Sequence, residues 1–75
     1  MRSRSILRSL GEEVRELRLG KKLSQEALAS LAGIHTNVVG RLERGSYNPS
    51  VMVLAALAVK LGVSLGELFR GAEGR

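Results

Sequence analysis

The chain contains no cysteine, which removes disulfides, thiolate metal ligands and a cysteine nucleophile together. Its single histidine, His35, rules out a structural zinc site built from the usual nitrogen and sulfur donors. Long apolar runs are missing too. The longest, Val51 to Val59, falls far short of the roughly 20 residues that cross a bilayer. The opening Met-Arg-Ser-Arg-Ser lacks the apolar segment of a signal peptide, so a cytoplasmic protein without a membrane partner is expected. There is no glycine-rich phosphate loop, no metal-ligand set and no nucleophile with a partnered histidine. Catalysis therefore finds no support. Internal repeats and low-complexity segments are absent, and β-type alternation is scarce.

What remains is small, basic and helical. Seventy-five residues make one domain, residues 1–75, with little surface to bury and marginal stability alone. With disulfides and zinc excluded, oligomerisation is the stabiliser within reach. Twelve Lys and Arg against seven Asp and Glu give a net charge of +5, which favours a polyanionic partner. Seven of the basic residues fall within residues 1–22 (Arg2, Arg4, Arg8, Arg15, Arg18, Lys21, Lys22). The stretch 23–50 balances Arg41 and Arg44 against Glu26 and Glu43, so charge alone does not locate a recognition element.

Periodicity divides the chain into five helices. Ile6, Leu10, Val14 and Leu17 form one helical stripe, with Ser5 placed to cap its start and Gly20-Lys21-Lys22 to end it. Gly11 sits inside this helix at a cost of about 1 kcal/mol relative to Ala. Ser24 suits the N-cap of a second helix whose buried face is Leu28, Leu31 and Ala32 and whose stop is Gly33. A third runs from about Thr36 to Arg44, with Val39 and Leu42 inward and Gly45 ending it. Ser50 caps a fourth that ends before Gly62. Ser64 and Glu67 have capping-box spacing and open a fifth through Leu68 and Phe69, leaving residues 71–75 expected to fray. The core is expected over 5–70.

The second and third helices are separated by only about three residues, too few for them to fold back antiparallel. They must cross steeply and closely. Ala29 permits the contact, Gly33 makes the turn, and Leu28, Ala32, Ile34, Val39 and Leu42 supply the shared apolar surface. The third helix is thereby left prominent, with dimensions that fit a major groove about 12 Å wide.

Several segments in order resemble the Cro/C1-type helix-turn-helix proteins, the XRE-like regulators that include phage repressors and restriction-modification controllers. They are Val14-Arg15-Glu16-Leu17-Arg18, Leu23-Ser24-Gln25-Glu26-Ala27-Leu28-Ala29, Ala32-Gly33-Ile34, Leu42-Glu43-Arg44-Gly45, Asn48-Pro49-Ser50 and Leu61-Gly62-Val63-Ser64-Leu65. The resemblance runs from Leu10 to Phe69. It implies an all-α, five-helix, lambda-repressor-like domain with the helix-turn-helix in helices 2 and 3, binding double-stranded DNA as a homodimer without catalysis. On the matching positions, base contacts are implied for Thr36, Asn37, Val38, Gly40 and Arg41. Asn37 suits adenine and Arg41 suits guanine, with a phosphate clamp as the alternative for Arg41. Val38 has a thymine methyl as its natural partner or is a tolerated surface residue. Gly40 either lets backbone approach DNA or is neutral. Gln25 matches the family position that bonds a phosphate, and Arg44, Ser46, Tyr47 and Asn48 are expected to flank the groove and hold phosphates, with packing over the fourth helix as the alternative for Tyr47. His35 stands where the family usually has a Ser or Thr cap, and is expected to contact a phosphate or solvent. Arg18 and Glu43 match a family pair that forms a structural salt bridge.

The fourth helix is apolar all round. Val51, Leu54, Leu57, Ala58 and Leu61 form one stripe, expected to face the core. Met52, Ala56, Val59 and Val63 form a second, which so small a domain cannot easily bury. With Leu65 and Phe69 it is expected to be a homodimer surface. No cofactor, metal or small-molecule ligand is expected. A protein-docking use of the same fold, as in an antitoxin or bridging module, is the alternative function.

Overall fold

A computed structural model describes residues 3–75, so Met1 and Arg2, part of the segment read for a leader, lie outside the described residues. Five helices follow one another: α1 (Ser3–Gly20), α2 (Gln25–Ala32), α3 (Thr36–Glu43), α4 (Val51–Leu61) and α5 (Leu65–Glu73). The fold is all-α and matches the expectation in number and order. Three boundaries are set by serine side chains. Ser24 Oγ accepts from the Ala27 amide at 2.9 Å, Ser50 Oγ from Val53 at 3.1 Å, and Ser64 Oγ from Glu67 at 3.0 Å. Glu67 Oε1 returns the last bond by accepting from the Ser64 amide at 2.8 Å. These caps satisfy amide donors that the first helical turn leaves free. Gly33 and Gly62 end α2 and α4 in left-handed geometry, at φ 70° and 77°.

Helix α1 ends at Gly20 as expected but departs from expectation at its start. Ser5 does not cap it, because the helix is already running at Ser3. Gly20 is its last helical residue, and the left-handed position after it falls on Lys22, at φ 58°.

The core is drawn from every helix: Leu10 and Val14, Leu28 and Ala29, Val39 and Leu42, then Leu54, Leu57, Ala58 and Leu61, and finally Leu68 and Ala72. Two residues expected inside are outside. Leu31 is 50% exposed, because it lies two positions after Ala29 and so almost opposite it round the helix. Val51 is 66% exposed: it is on the correct stripe, but at the first position of α4, beyond the edge of the core. The tail differs as well. Helix α5 continues to Glu73, burying Ala72 against the core. Arg75 then bonds Glu13 at 2.8 Å and also pairs with Glu16, so the tail is fastened to α1 instead of frayed.

No single helix among the described residues is long and apolar enough to cross a membrane; α4 and α5 are apolar together but meet at 94°.

Helix α1 packs against α5 on one side and α3 on the other, and α2 packs against α3 and α4. The contact between α1 and α3 is close because of Gly11. Its backbone lies directly on the last turn of α3, and a methyl group there would overlap the Leu42 carbonyl oxygen and come within 2.8 Å of that of Glu43. Both obstacles are backbone, so no rotamer change relieves them. Gly11→Ala would ordinarily stabilise a helix by about 1 kcal/mol. Here it is expected to destabilise by about 1–3 kcal/mol through overpacking. The thermal midpoint should fall by roughly 4–8 °C per kcal/mol. A midpoint at or above that of the parent would show that the α1–α3 contact has slack.

Candidate nucleic-acid interface

The outward face of α3 is assembled from beneath. Arg18, near the end of α1, is 7% exposed and reaches across to Glu43 at the end of α3. Its Nε donates to Glu43 Oε2 at 2.6 Å and its Nη2 to Oε1 at 3.0 Å, a bidentate pairing. Arg18 Nη1 also donates to the Leu23 carbonyl at 2.7 Å, fixing the loop that leads into α2. The hydrogen bonds to Glu43 hold Arg18 above its ordinary pKa despite the opposing effect of burial. Among the described residues no buried side-chain nitrogen or oxygen lacks a partner, so this polar cluster is fully satisfied.

Glu43 has a third donor. Gln25 Nε2, from the first residue of α2, bonds Oε1 at 3.0 Å. This fixes the Gln25 amide, and its free Oε1 is directed over α3 to within 3.4 Å of where a Gly40 side chain would begin. Arg44 Nη1 lies at the same distance. Gly40 is therefore buried, and the room left by its missing side chain is filled by Gln25 and Arg44. The space at Gly40 thus serves packing between α2 and α3.

Helical geometry decides the rest. Val39 and Leu42 point inward, which turns Asn37, Arg41 and Arg44 to solvent on the opposite side. Together with Gln25, Thr36 and Gly40 they line a shallow cleft of about 260 Å³ between the starts of α2 and α3. Thr36 is half-buried at the amino-terminal end. Val38 is also half-buried, roughly a quarter-turn from the inward direction, and lies on the flank of α3. His35 occupies the N-cap position of α3, exposed, and its side chain makes no capping bond. Gly45, at φ 75°, turns the chain back after α3, and the Ser46 amide and hydroxyl both donate to the Arg41 carbonyl, at 3.0 and 3.1 Å. Asn48 is exposed beyond it.

Tyr47 combines the packing that the sequence offered as one alternative with a contact that it did not suggest. It is half-buried against the core, and the Arg41 guanidinium carbon lies over its ring, 5.4 Å from the centroid. That is cation–π range. Six positions and a glycine turn separate the two residues, so no helical or strand period relates them.

The apolar stripe of α4 lies on a different part of the surface. Met52 is 80% and Val59 70% exposed, with Ala56 and Val63 half-buried between and beyond them. Leu65 and Phe69, expected beside them, are half-buried and pack on the core. No group of three or more His, Asp or Glu among the described residues is placed to hold a metal ion.

A model of the helix-turn-helix family matches residues 14–68 of this chain. The control protein C.SmaI of Serratia marcescens is 39% identical over 59 residues, spanning 79% of this chain and 70% of that protein. The immunity repressor protein of Bacillus phage phi105 is 32% identical over 60 residues; these span 80% of this chain but only 42% of the repressor. Among solved structures, the restriction-modification controller protein C.AhdI from Aeromonas hydrophila superposes with a TM-score of 0.80. It is 44% identical, over 83% of this chain and 94% of its own.

The Arg18–Glu43 pair makes the site sensitive to change at its base. Glu43→Gln leaves the Arg18 charge buried without its counterion and is expected to cost about 3–5 kcal/mol in urea unfolding. The double replacement Arg18→Met with Glu43→Leu removes both charges and should recover most of that loss. A single variant as stable as the parent would show that the pair is solvated in solution.

Proposed function

The chain belongs to the helix-turn-helix family, of the Cro/C1-type, XRE-like kind, and on that premise we propose that it regulates transcription as a homodimer bound to a near-palindromic operator. Membership makes it a DNA-binding regulator and not an enzyme. The observation that supports the finer reading best is the open, polar face of α3, with Asn37, Arg41 and Arg44 in solvent and Gln25 fixed beside them by Glu43. Neither the described chain nor its tail covers that face.

In this reading α3 enters the major groove. Thr36 and Asn37 meet base edges from its amino-terminal end, Asn37 offering the donor and acceptor that match adenine. Arg41, one turn further, pairs with guanine N7 and O6, and Val38 on the flank packs against a thymine methyl. Gln25 holds a phosphate at the start of α2, where free amides and the helix dipole favour an anion. His35, Arg44, Ser46 and Asn48 contact further phosphates along the rim and set register without reading sequence.

The second copy is supported by α4. Met52 and Val59 expose large apolar side chains on a domain whose size leaves little surface for such a stripe. Joining two copies through Met52, Ala56, Val59 and Val63, with Leu65 and Phe69 behind them, covers it. A two-fold pair would carry its two α3 helices about 34 Å apart, facing successive major grooves. The names of the relatives, a phage immunity repressor, a control protein and a restriction-modification controller, agree with this reading.

Two experiments test it. Duplexes selected from a random pool should bind with a log–log salt slope of about −0.9 per phosphate contact. Arg41→Ala should cost about 1–3 kcal/mol and relax preference at one position per half-site, whereas Gln25→Ala should weaken all sequences alike. Equal loss across sequences from both would contradict the division of roles, and salt-independent binding would favour the protein-docking alternative. Independently, Val59→Glu should turn a dimer into a folded monomer in sedimentation and weaken operator binding at least tenfold, since each half-site then binds without its tethered neighbour. A variant that stays dimeric would place the interface elsewhere.

A further inference from the structure

We propose that Tyr47 is a specificity-positioning residue: its ring holds the Arg41 guanidinium in place before DNA arrives. The inference rests on the base-reading role proposed for Arg41 and adds what makes that reading selective.

Arg41 is exposed at the surface of α3, and an unrestrained arginine there samples many rotamers. Each must be given up when a base is read. Tyr47 limits that freedom in advance, because its ring is itself fixed. It packs on the core from a loop whose path is determined on both sides. Gly45 takes a left-handed turn at φ 75°, and a side chain there would stand 3.0 Å from the Arg8 Cα, so the loop is pressed against α1. Ser46 then ties the loop to the Arg41 carbonyl through its amide and its hydroxyl. The ring is held to the same residue whose side chain it supports.

The chemistry permits both functions together. A ring attracts the guanidinium through its π face, which uses none of the five N–H donors. The donors remain available for guanine N7 and O6. Tyr47 thus contributes through Arg41 and not by a phosphate bond of its own hydroxyl.

The test is a double-mutant cycle read as base preference on selected duplexes. Tyr47→Leu keeps apolar bulk against the core and removes the ring face; it guards against Tyr47→Ala failing to fold, and thermal melts confirm both variants. Either should reduce discrimination at the Arg41-dependent base pair about two- to fivefold. Other positions should be unchanged. Tyr47→Phe should retain the parent preference, and in an Arg41→Ala background Tyr47→Leu should have no further effect on preference. Three outcomes would overturn the inference alone: a loss by Tyr47→Phe equal to that of Tyr47→Leu, a uniform loss across all sequences, or additive effects in the double variant. If Arg41→Ala itself leaves base preference intact, the base-reading role fails and the inference falls with it.

Discussion

The bidentate bond between Arg18 and Glu43 joins three helices at one point. Arg18 comes from the end of α1, Glu43 from the end of α3, and Gln25 from the start of α2 completes the carboxylate's partners. A buried ion pair is a poor source of net stability, because desolvating two charges costs about as much as their attraction returns. Its value here is geometric. Apolar contacts among Leu28, Ala29, Val39 and Leu42 hold the helices together but tolerate sliding, whereas a satisfied polar cluster tolerates almost none. The cluster fixes the tilt of α3 and the direction of the Gln25 amide in one arrangement. Gly11 is the steric counterpart, since only a bare backbone lets α1 approach the last turn of α3 closely enough for Arg18 to reach.

Most features decided locally were legible in the sequence, the Ser5 cap being the exception because α1 already runs at Ser3. Ser24, Ser50 and Ser64 announce helix starts because a cap involves only the next three residues. Gly33 and Gly62 announce stops for a similar reason. The Arg18–Glu43 pairing, 25 residues apart, came from family resemblance and not from any period. Features that depend on which neighbour arrives were not legible. Gly11 looked like a local defect in α1, although its cause is the backbone of α3, some thirty residues later. Leu31 and Val51 are apolar residues with no neighbour to cover them, and sequence records only their hydrophobicity. The order of the tail is not legible because Ala72 is buried in the shared core and the partners of Arg75, Glu13 and Glu16, lie on α1, at the far end of the chain. Tyr47 packs on the core, one of the two roles its position allows, and the turn at Gly45 adds a contact beneath Arg41 that no period in the sequence announces.

The two exposed surfaces of the domain differ in chemistry. The α3 side is polar and carries Arg41 and Arg44, while the exposed side of α4 is apolar over Met52 and Val59. A polyanion and a second copy of the chain would compete little for such different surfaces. The separation follows from the sequence of α4, where nine apolar residues in succession give more hydrophobic surface than one core can take.

DNA reading by this domain requires α3 and Gln25 to form one rigid outward face. NMR titration of the isotope-labelled protein with a selected duplex tests this most directly. Backbone and side-chain signals of Gln25, Asn37, Arg41 and Arg44 should move together, with α4 signals from Met52 and Val59 unchanged at constant protein concentration. Perturbations centred on the α4 stripe, with those of α3 left in place, would contradict it.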